Sequence, residues 1–112
     1  MTKYMISFDD GTMIFPEEDL PDVTRDALAV VQAARDAGVW VYGAGLLHQV
    51  PSIVDTDGTI TDRPYPESKA HLGGFAIVDV PSRAEALEWA TKIAVACRCA
   101  QAVFELLPDP TA

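Results

Sequence analysis

Residues 58–72 carry the densest group of side chains in this chain that could do chemistry. Asp62, Tyr65, Lys69 and His71 all lie there, just ahead of an apolar run. Imidazole titrates near neutrality, and burial can raise a carboxylate toward the same range, so Asp62 or His71 could transfer a proton. Tyr65 and Lys69 could hold an anionic or enolic oxygen. Connections this long are usually functional or disordered, and this composition indicates a functional one.

Each of these side chains also has an ordinary structural interpretation. Asp62 could be a turn residue that accepts a hydrogen bond from its own backbone. Glu67, Lys69 and His71 could be solvated loop residues. Both interpretations stay open for Asp62 and Tyr65, because long loops of fixed geometry often carry sites. For His71 the structural interpretation is the stronger one, since histidine is often a surface or satisfied polar residue.

His48 is a further candidate acid or base, because it follows the second apolar run, where a strand end could face a cleft. A single histidine with no partner in its own segment is more often structural or simply exposed. The sequence therefore leaves both interpretations of His48 open and favours the structural one.

Metal and cofactor chemistry is not expected. Cys97 and Cys99 lie closer together than the cysteines of known zinc motifs, so they are predicted to be small core residues. The acidic residues between 9 and 19 lack the spacing of a calcium loop and predict a charged surface. Residues 43–45, Gly-Ala-Gly, lead into a strand and hairpin and not into a helix, so they form no phosphate cradle.

Composition bounds the possible partners and the location. The chain has 112 residues, 49% of them hydrophobic and 22% charged, which fits a single domain over residues 1–112. Its net charge of -9 disfavours nucleic acid and anionic membranes, which bind cationic surfaces. No segment approaches the ~20 apolar residues that span a bilayer, and the first apolar run is too short for a signal peptide. With only two cysteines, the chain is predicted to be cytoplasmic.

Hydrophobic periodicity predicts the elements that must position these residues. Tyr4, Ile6 and Phe8 share one side of the first strand, and Asp9-Asp10-Gly11 ends it with a turn. The first helix is predicted to have an apolar stripe and the second to bury four residues; these are Val23, Ala27, Val30, Val31, Ala34 and Ala37 in the first, and Leu87, Ala90, Ile93 and Ala94 in the second.

Ser82 and Glu85 form a capping box at the start of the second helix. The predicted order is strand 3–8, helix 21–37, strand 39–47, a small hairpin around the Asp57-Gly58 turn, strand 73–80, helix from 82 to about 94 or 96, and strand 101–107. Two βαβ halves of this kind predict a ferredoxin-like βαββαβ fold of the α+β class, an antiparallel sheet with both helices on one face and an extra hairpin and loop insertion.

Two helices cover only one face of such a sheet. The other face would carry Trp40 or Val41, Phe75 or Ala76, and an aromatic residue of the first strand. Left uncovered, these side chains form a larger apolar patch than soluble monomers usually expose. A second copy is the simplest cover, so the sequence predicts a homodimer.

Several short segments also fit one known pattern, in order, along nearly the whole chain. The most specific is DRPYPESKAHLGGF, residues 62–75. The others are Lys3-Tyr4-Met5, Ala37-Gly38-Val39, Gly43-Ala44-Gly45-Leu46 and Ala86-Leu87-Glu88-Trp89. On these residues the chain resembles the YCII-related superfamily, in its branch named for an Asp-Gly-Pro-Phe motif. The resemblance implies a dimeric α+β barrel, in which two ferredoxin-like sheets face each other, with a pocket on each subunit near the dimer interface.

The chain departs from that pattern in two ways. Arg63 stands where the motif has glycine, so the tight turn is expected to be reshaped and a cation is expected near the pocket. Compact members of the superfamily are thought to use a His–Asp pair, and no such pair aligns residue by residue with this sequence.

Together these observations predict a cofactor-independent enzyme acting on a small cyclic or carbonyl-bearing metabolite by acid–base chemistry, such as isomerisation, elimination or lactone handling. A non-catalytic dimer that binds a small molecule is the alternative. A purely structural dimer is less favoured, because it would not need the polar segment 58–72. The predicted catalytic residues are Asp62, His48 and His71, and the predicted substrate-binding residues are Tyr65, Lys69, Arg63 and Phe75.

Overall fold

A computed structural model describes residues 1–62 and 71–111 of the chain. Within them, a four-stranded sheet carries two helices on one face, and two short strands form a separate hairpin. The elements are β1 (Thr2–Asp9), α1 (Leu20–Asp36), β2 (Trp40–Gly45), β3 (Ser52–Val54), β4 (Ile60–Asp62), β5 (Leu72–Val80), α2 (Arg83–Cys97) and β6 (Ala102–Glu105). A single 3-10 turn, Glu17–Asp19, interrupts the stretch predicted as loop before α1.

The main sheet has the strand order β2-β5-β1-β6, and every neighbouring pair is antiparallel. Strands β1 and β2 are joined through α1 and have β5 between them, which is the split βαβ arrangement of ferredoxin-like proteins. The predicted fold class is therefore confirmed. The Asp57-Gly58 turn also lies where it was predicted, between β3 and β4, with Gly58 at a φ of +87° that favours glycine.

The register assigns each strand residue to a face, because directly opposed residues of an antiparallel pair point the same way. Tyr4 lies opposite Val78 and Ile6 opposite Ala76. Tyr4, Ile6 and Val78 are buried in one cluster with alanines of α2. The first-strand residues predicted to share a side therefore do so, and that side faces the helices.

The opposite face is open to solvent. Tyr42 and Phe104 are 60% and 51% exposed there. Of the predicted alternatives Phe75 and Ala76, Phe75 is the one on this face, because it lies opposite Ser7. The other residues assigned to this face by the register are Met5, Ser7, Ile77, Ala44 and Ala102.

One prediction about the open face was wrong, and the predicted alternative of Trp40 or Val41 is decided against Trp40. A register shift between Trp40 and Tyr42 puts Trp40 opposite the core residue Val78 and makes Val41 the extra residue of a bulge. The β2 aromatic on the open face is therefore Tyr42. The first strand contributes no aromatic residue to this face, because Tyr4 and Phe8 both face the helices.

The helices follow their predicted stripes with two exceptions. Val23 and Ala34 of α1 are buried, as the three- and four-residue spacing predicted, but Ala37 is an exposed C-cap. The Ser82 hydroxyl accepts a hydrogen bond from the Glu85 backbone N–H at 3.3 Å, which confirms the predicted start of α2.

Leu87 is 43% exposed although its burial was predicted. The small side chains of Ala86 and Ala90 face the sheet, and they let α2 approach it closely with Leu87 turned outward. Neither helix within residues 1–62 and 71–111 is long and apolar enough to cross a bilayer.

Candidate functional site

One edge of the main sheet brings together residues that are far apart in sequence. β1 and β2 both end there, and β5, which runs the opposite way between them, begins there. Asp10 follows β1, His48 follows β2 and His71 precedes β5. The Asp10 N–H donates to the His71 carbonyl at 2.7 Å, and the Leu46 N–H donates to the Gly73 carbonyl at 2.9 Å. Backbone hydrogen bonds therefore continue past the ends of the strands and fix this edge.

At this edge the imidazole of His48 pairs with the carboxylate of Asp10. His48 Nδ1 lies 2.9 Å from Asp10 Oδ2. The His48 side chain is 90% exposed and that of Asp10 37%. Because the carboxylate accepts from Nδ1, neutral His48 carries its proton there and presents Nε2 as a base. No other residue of the described part of the chain bonds the ring, so Nε2 faces solvent.

A tight turn positions Asp10. The Thr12 N–H and hydroxyl both donate to the Asp9 carbonyl, at 3.2 and 2.7 Å. Gly11 adopts a φ of +82°, a conformation that residues with side chains rarely adopt. The turn chemistry predicted for Asp9-Asp10-Gly11 is therefore confirmed, and its effect is to aim the Asp10 carboxylate across the sheet edge.

Gly73 and Gly74, at the start of β5, have no side chains and so leave room for the Phe8 ring beside this turn. A Cβ at Gly74 would lie 2.6 Å from Phe8 Cε1, and one at Gly73 would lie 2.8 Å from Phe8 Cε2. Both distances are too short for a real side chain. The Phe8 ring therefore occupies the space above the two glycines, and it anchors the end of β1 that leads to Asp10.

His71 and Phe75 were also predicted to belong to the site. His71 is half-buried and is tied to Asp10 through its backbone carbonyl. Phe75 lies three residues into β5 on the open face, where its ring tilts against Tyr42 with the centroids 6.2 Å apart. His71 thus lies at the same edge as the His48–Asp10 pair. Phe75 forms part of the open face and is also one of the residues that line an apolar cavity.

Asp62 lies elsewhere, at the end of the β3–β4 hairpin. Its carboxylate accepts a hydrogen bond from the Ser52 hydroxyl on the opposing strand. The described contacts do not bring it together with His48. Tyr65, Lys69 and Arg63 lie outside the described residues, so the structure does not test their predicted roles.

An apolar cavity of about 420 Å³ lies between the helices and the sheet, within the size range of small-molecule sites. Phe8 and Gly45 line it near the ends of β1 and β2. Gly45 is three residues before His48, and three residues span at most about 11 Å. The wall is built largely from Ile6, Met13, Ala27, Leu28, Val31, Trp40, Ile93 and Cys97.

The two cysteines are half-buried free thiols. Burial raises the pKa of Cys97 and of Cys99, which keeps both thiols protonated at neutral pH and therefore unreactive as nucleophiles. Cys97 lines the cavity, and Cys99 follows the end of α2. Within residues 1–62 and 71–111, no three His, Cys, Asp or Glu side chains converge as a metal site would require.

Asp10 is the residue that sequence reasoning missed, because the acidic stretch was interpreted as charged surface. Its pairing with His48 joins residues 38 positions apart. A signal was available, since β1 and β2 of a split βαβ unit end at one edge. A carboxylate after the first strand and a histidine after the second could therefore have been predicted to meet.

The strand order and the helices on one face define the chain as a ferredoxin-like α+β protein. A family model of the YCII-related domain matches residues 3–107, so the chain belongs to the YCII-related family. The resemblance at the family level is thus confirmed, and the Asp-Gly-Pro-Phe branch stays a prediction. No curated protein matches the chain.

A similar solved structure is 5-chloro-2-hydroxyhydroquinone dehydrochlorinase (TftG) from Burkholderia phenoliruptrix AC1100 in complex with 2,5-dihydroxybenzoquinone. The two chains are 15% identical, with a TM-score of 0.56, and the similarity covers 99% of this chain and 98% of that one. At this identity the likeness extends to the fold alone.

Proposed function

We propose that this protein is a cofactor-independent acid–base catalyst that acts on a small cyclic or carbonyl-bearing metabolite. His48 is the group that transfers the proton, and Asp10 is the carboxylate that orients it. The observation that carries the proposal is the 2.9 Å contact between His48 Nδ1 and Asp10 Oδ2 at a sheet edge beside an apolar cavity. A histidine held by a carboxylate at one ring nitrogen is a recurrent arrangement for a general base.

The proposed reaction begins when His48 Nε2 removes a proton from a carbon next to a carbonyl, or from an enolic hydroxyl. The electron pair moves onto the substrate, which becomes an enolate, and the imidazolium is stabilised by the Asp10 carboxylate. Return of the proton to a different carbon completes an isomerisation. Departure of a leaving group with the electron pair completes an elimination, and His48 then loses its proton to solvent.

The printed function of the similar TftG structure supports this class of reaction. A dehydrochlorinase removes hydrogen chloride, which is an elimination, and its bound molecule is a cyclic dihydroxyquinone. For the present chain this is support by analogy of fold, and we propose only the reaction class. The substrate stays open between cyclic ketones, unsaturated lactones and hydroxylated quinols.

The other predicted site residues enter as proposals of lower rank. His71 is the second candidate for proton transfer, because its backbone is bonded to Asp10. Asp62 is the third, since its carboxylate is already engaged by Ser52. Tyr65, Lys69 and Arg63 are proposed to bind substrate on the sequence pattern alone. Phe75 is proposed to bind substrate as part of the apolar wall of the pocket.

We also propose that the protein is a homodimer whose two open sheet faces pack together. Tyr42 and Phe104 are more than half exposed on that face, next to Met5 and Ile77. Covering such a patch by a second copy removes apolar surface from water. Light scattering is expected to give twice the chain mass of 12.1 kDa, and Phe104→Lys is expected to give single chains. A wild-type particle of 12.1 kDa at micromolar concentration would contradict the dimer.

The alternative is a small-molecule-binding protein without turnover. For either function we propose a cytoplasmic location. The apolar cavity favours it, because Phe8 and Gly45 line that cavity while His48 itself does not. In that case ligand affinity is expected to survive the loss of His48, and no substrate should be converted.

The experiment that separates these functions measures proton exchange on carbon. A panel of cyclic diketones, unsaturated lactones and 5-chloro-2-hydroxyhydroquinone is incubated with the protein in D2O. Deuterium incorporation is followed by NMR, and chloride release is followed for the chlorinated compound. We expect at least one compound to react. His48→Gln is expected to slow that reaction about 100-fold or more, whereas the neighbouring exposed control Gln49→Ala leaves it unchanged.

Two outcomes would overturn the catalytic proposal. Exchange that proceeds equally in His48→Gln would remove His48 from the reaction. Binding of panel compounds to the wild-type protein without any exchange or chloride release would favour the binding protein.

A further inference from the structure

We propose that the cavity between α1 and the sheet binds a small apolar molecule that carries an acid group, and that Arg35 binds the acid. If the bound molecule is the substrate, this inference names its chemical class and rests on the proposed function. Binding itself does not depend on that function. The occupant is therefore an amphipathic carboxylic acid or a similar anion, with its ring or chain in the cavity and its charge at Arg35.

The cavity walls suit the apolar part of such a molecule. The Trp40 ring lies over Gly43, where a Cβ would come within 2.6 Å of Trp40 Cη2. Trp40 lines the cavity together with Phe8 and Leu28. Flat aromatic walls of this kind contact rings and hydrocarbon chains over a large area.

Arg35 is the one charged side chain lining the cavity in the described part of the chain. Its guanidinium carries five N–H donors in a planar fork that matches a carboxylate. Gln101 is the other long polar side chain there, and its amide N–H donates to the Cys99 carbonyl at 3.4 Å. Arg35 is itself an exposed residue, so the cavity has an apolar body with one cationic residue where its lining meets solvent.

In the part of the chain that the structure describes, the other charged side chains of α1 all have partners and Arg35 has none. Arg25 lies 3.2 Å from Asp22, and Asp26 lies 2.9 Å from Arg98. Asp36, directly next to Arg35, accepts from the Gln32 amide at 2.8 Å. Within residues 1–62 and 71–111, Arg35 forms no ion pair or hydrogen bond with its side chain.

An unpaired cation is notable in a chain of net charge -9, where carboxylates outnumber basic groups. A basic residue in the last turn of a helix also interacts favourably with the helix dipole. That effect accounts for a small stabilisation of α1 by Arg35, but it does not require the side chain to line a cavity. The two explanations differ in what they predict for ligand binding.

The proposed dimer leaves most of the lining of this cavity uncovered. The open face that a second copy would cover carries Tyr42 and Phe104, and neither lines the cavity. Ala44 and Phe75 contribute to both, but the rest of the lining, including Arg35, comes mainly from the helices and the helix-facing side of the sheet.

The test uses two fluorescent probes that share one skeleton. 1-Anilinonaphthalene-8-sulfonate carries an acid group, and N-phenyl-1-naphthylamine is the same ring system without it. Arg35→Gln is expected to weaken binding of the sulfonate about threefold to tenfold and to leave the affinity for the neutral probe unchanged. Arg25→Gln, on the same helix but away from the cavity, is the matched control and should alter neither affinity.

A second variant tests whether the probes bind in the cavity and not on the open face. Ala27 lines the cavity wall on α1, and Ala27→Leu fills part of the space. It is expected to weaken binding of both probes. Thermal unfolding of each variant confirms that it is folded.

The proposal fails if Arg35→Gln and Arg25→Gln change sulfonate binding equally, or if Ala27→Leu leaves both affinities as they were. A drop in melting temperature of Arg35→Gln with unchanged probe binding would leave only the helix-dipole role. His48→Gln is expected to bind both probes normally. A negative result in the exchange assay would therefore not contradict binding in the cavity. A negative result with the probes would likewise not contradict the catalytic role of His48.

Discussion

Two carboxylates of this chain each hold a basic side chain at 2.9 Å, in very different surroundings. Asp26 on α1 accepts from Arg98 at the end of α2, so this pair joins two packed helices. Asp10 holds His48 at a sheet edge where both partners lie on loops. In the first pair the two side chains are 38% and 34% exposed, whereas the His48 side chain is 90% exposed.

The difference separates a pair that joins two packed helices from a pair whose imidazole is exposed to solvent. Arg98 also donates to the Val95 and Ala96 carbonyls, so it satisfies the end of α2 as well as Asp26. His48 has one described partner and leaves one ring nitrogen open. The same kind of contact therefore joins two helices in one place and orients an exposed imidazole at the sheet edge in the other.

The largest expected effects come from removing the basic member of each pair. His48→Gln is expected to lower turnover about 100-fold or more with little change in melting temperature. Arg98→Gln is expected to lower the melting temperature by about 4–8 °C and to leave turnover nearly unchanged. The measurements are the exchange rate and thermal unfolding of both variants. Equal losses of stability in the two variants would abolish the distinction.

A smaller effect is expected from the packing that positions the sheet edge. Gly74→Ala would force the Phe8 ring aside and is expected to destabilise the protein by about 1–3 kcal/mol. Gly45→Ala is the matched control, because nothing lies within 4 Å of a Cβ built there. Denaturant unfolding measures both variants. If Gly74→Ala were as stable as Gly45→Ala, Phe8 would not anchor the edge that carries Asp10.

The smallest expected effect is the pH dependence of the stability that the Asp26–Arg98 pair contributes between the two helices. The hydrogen bond from Arg98 holds the pKa of Asp26 below its usual value, and the nearby Arg25 acts the same way. A carboxylate with a lowered pKa in the folded state contributes stability above its unfolded pKa of about 3.9, and this contribution is lost as pH falls below that value. The melting temperature of wild-type protein is therefore expected to exceed that of Asp26→Asn at pH 6 and to converge with it toward pH 2.5.

Thr91→Ala serves as the control for this titration, because it removes a neutral hydroxyl that donates to the Leu87 carbonyl on α2. Its gap to wild type is expected to stay nearly constant with pH. A constant gap for Asp26→Asn as well would show that the Asp26–Arg98 pair contributes no pH-dependent stability.

Much of the fold could be predicted because its signals are local. The β-branched run of β5 and the Ser82 cap each depend on a few consecutive residues. The predicted boundaries were less accurate where tertiary packing decides them. β2 ends at Gly45 and not at residue 47, and α2 continues to Cys97 before Arg98 takes up a φ of +60°.

The site was less predictable because it depends on strand order and register. A one-residue register shift at Val41 turns Trp40 toward the core, which alternation along the sequence does not reveal. His48 was identified by its position after a strand, but its partner Asp10 is brought near by the sheet edge. Asp10 was therefore missed although the turn that holds it was predicted.

The central claim is that His48 and Asp10 act as one unit, and a double-mutant cycle on the exchange reaction tests it most directly. Rates are measured for wild type, His48→Gln, Asp10→Asn and the double variant. If Asp10 acts through His48, removing it after His48 is gone costs nothing further, so the double variant is expected to match His48→Gln. A double variant whose loss equals the product of the two single losses would contradict the account, because the two residues would then act independently.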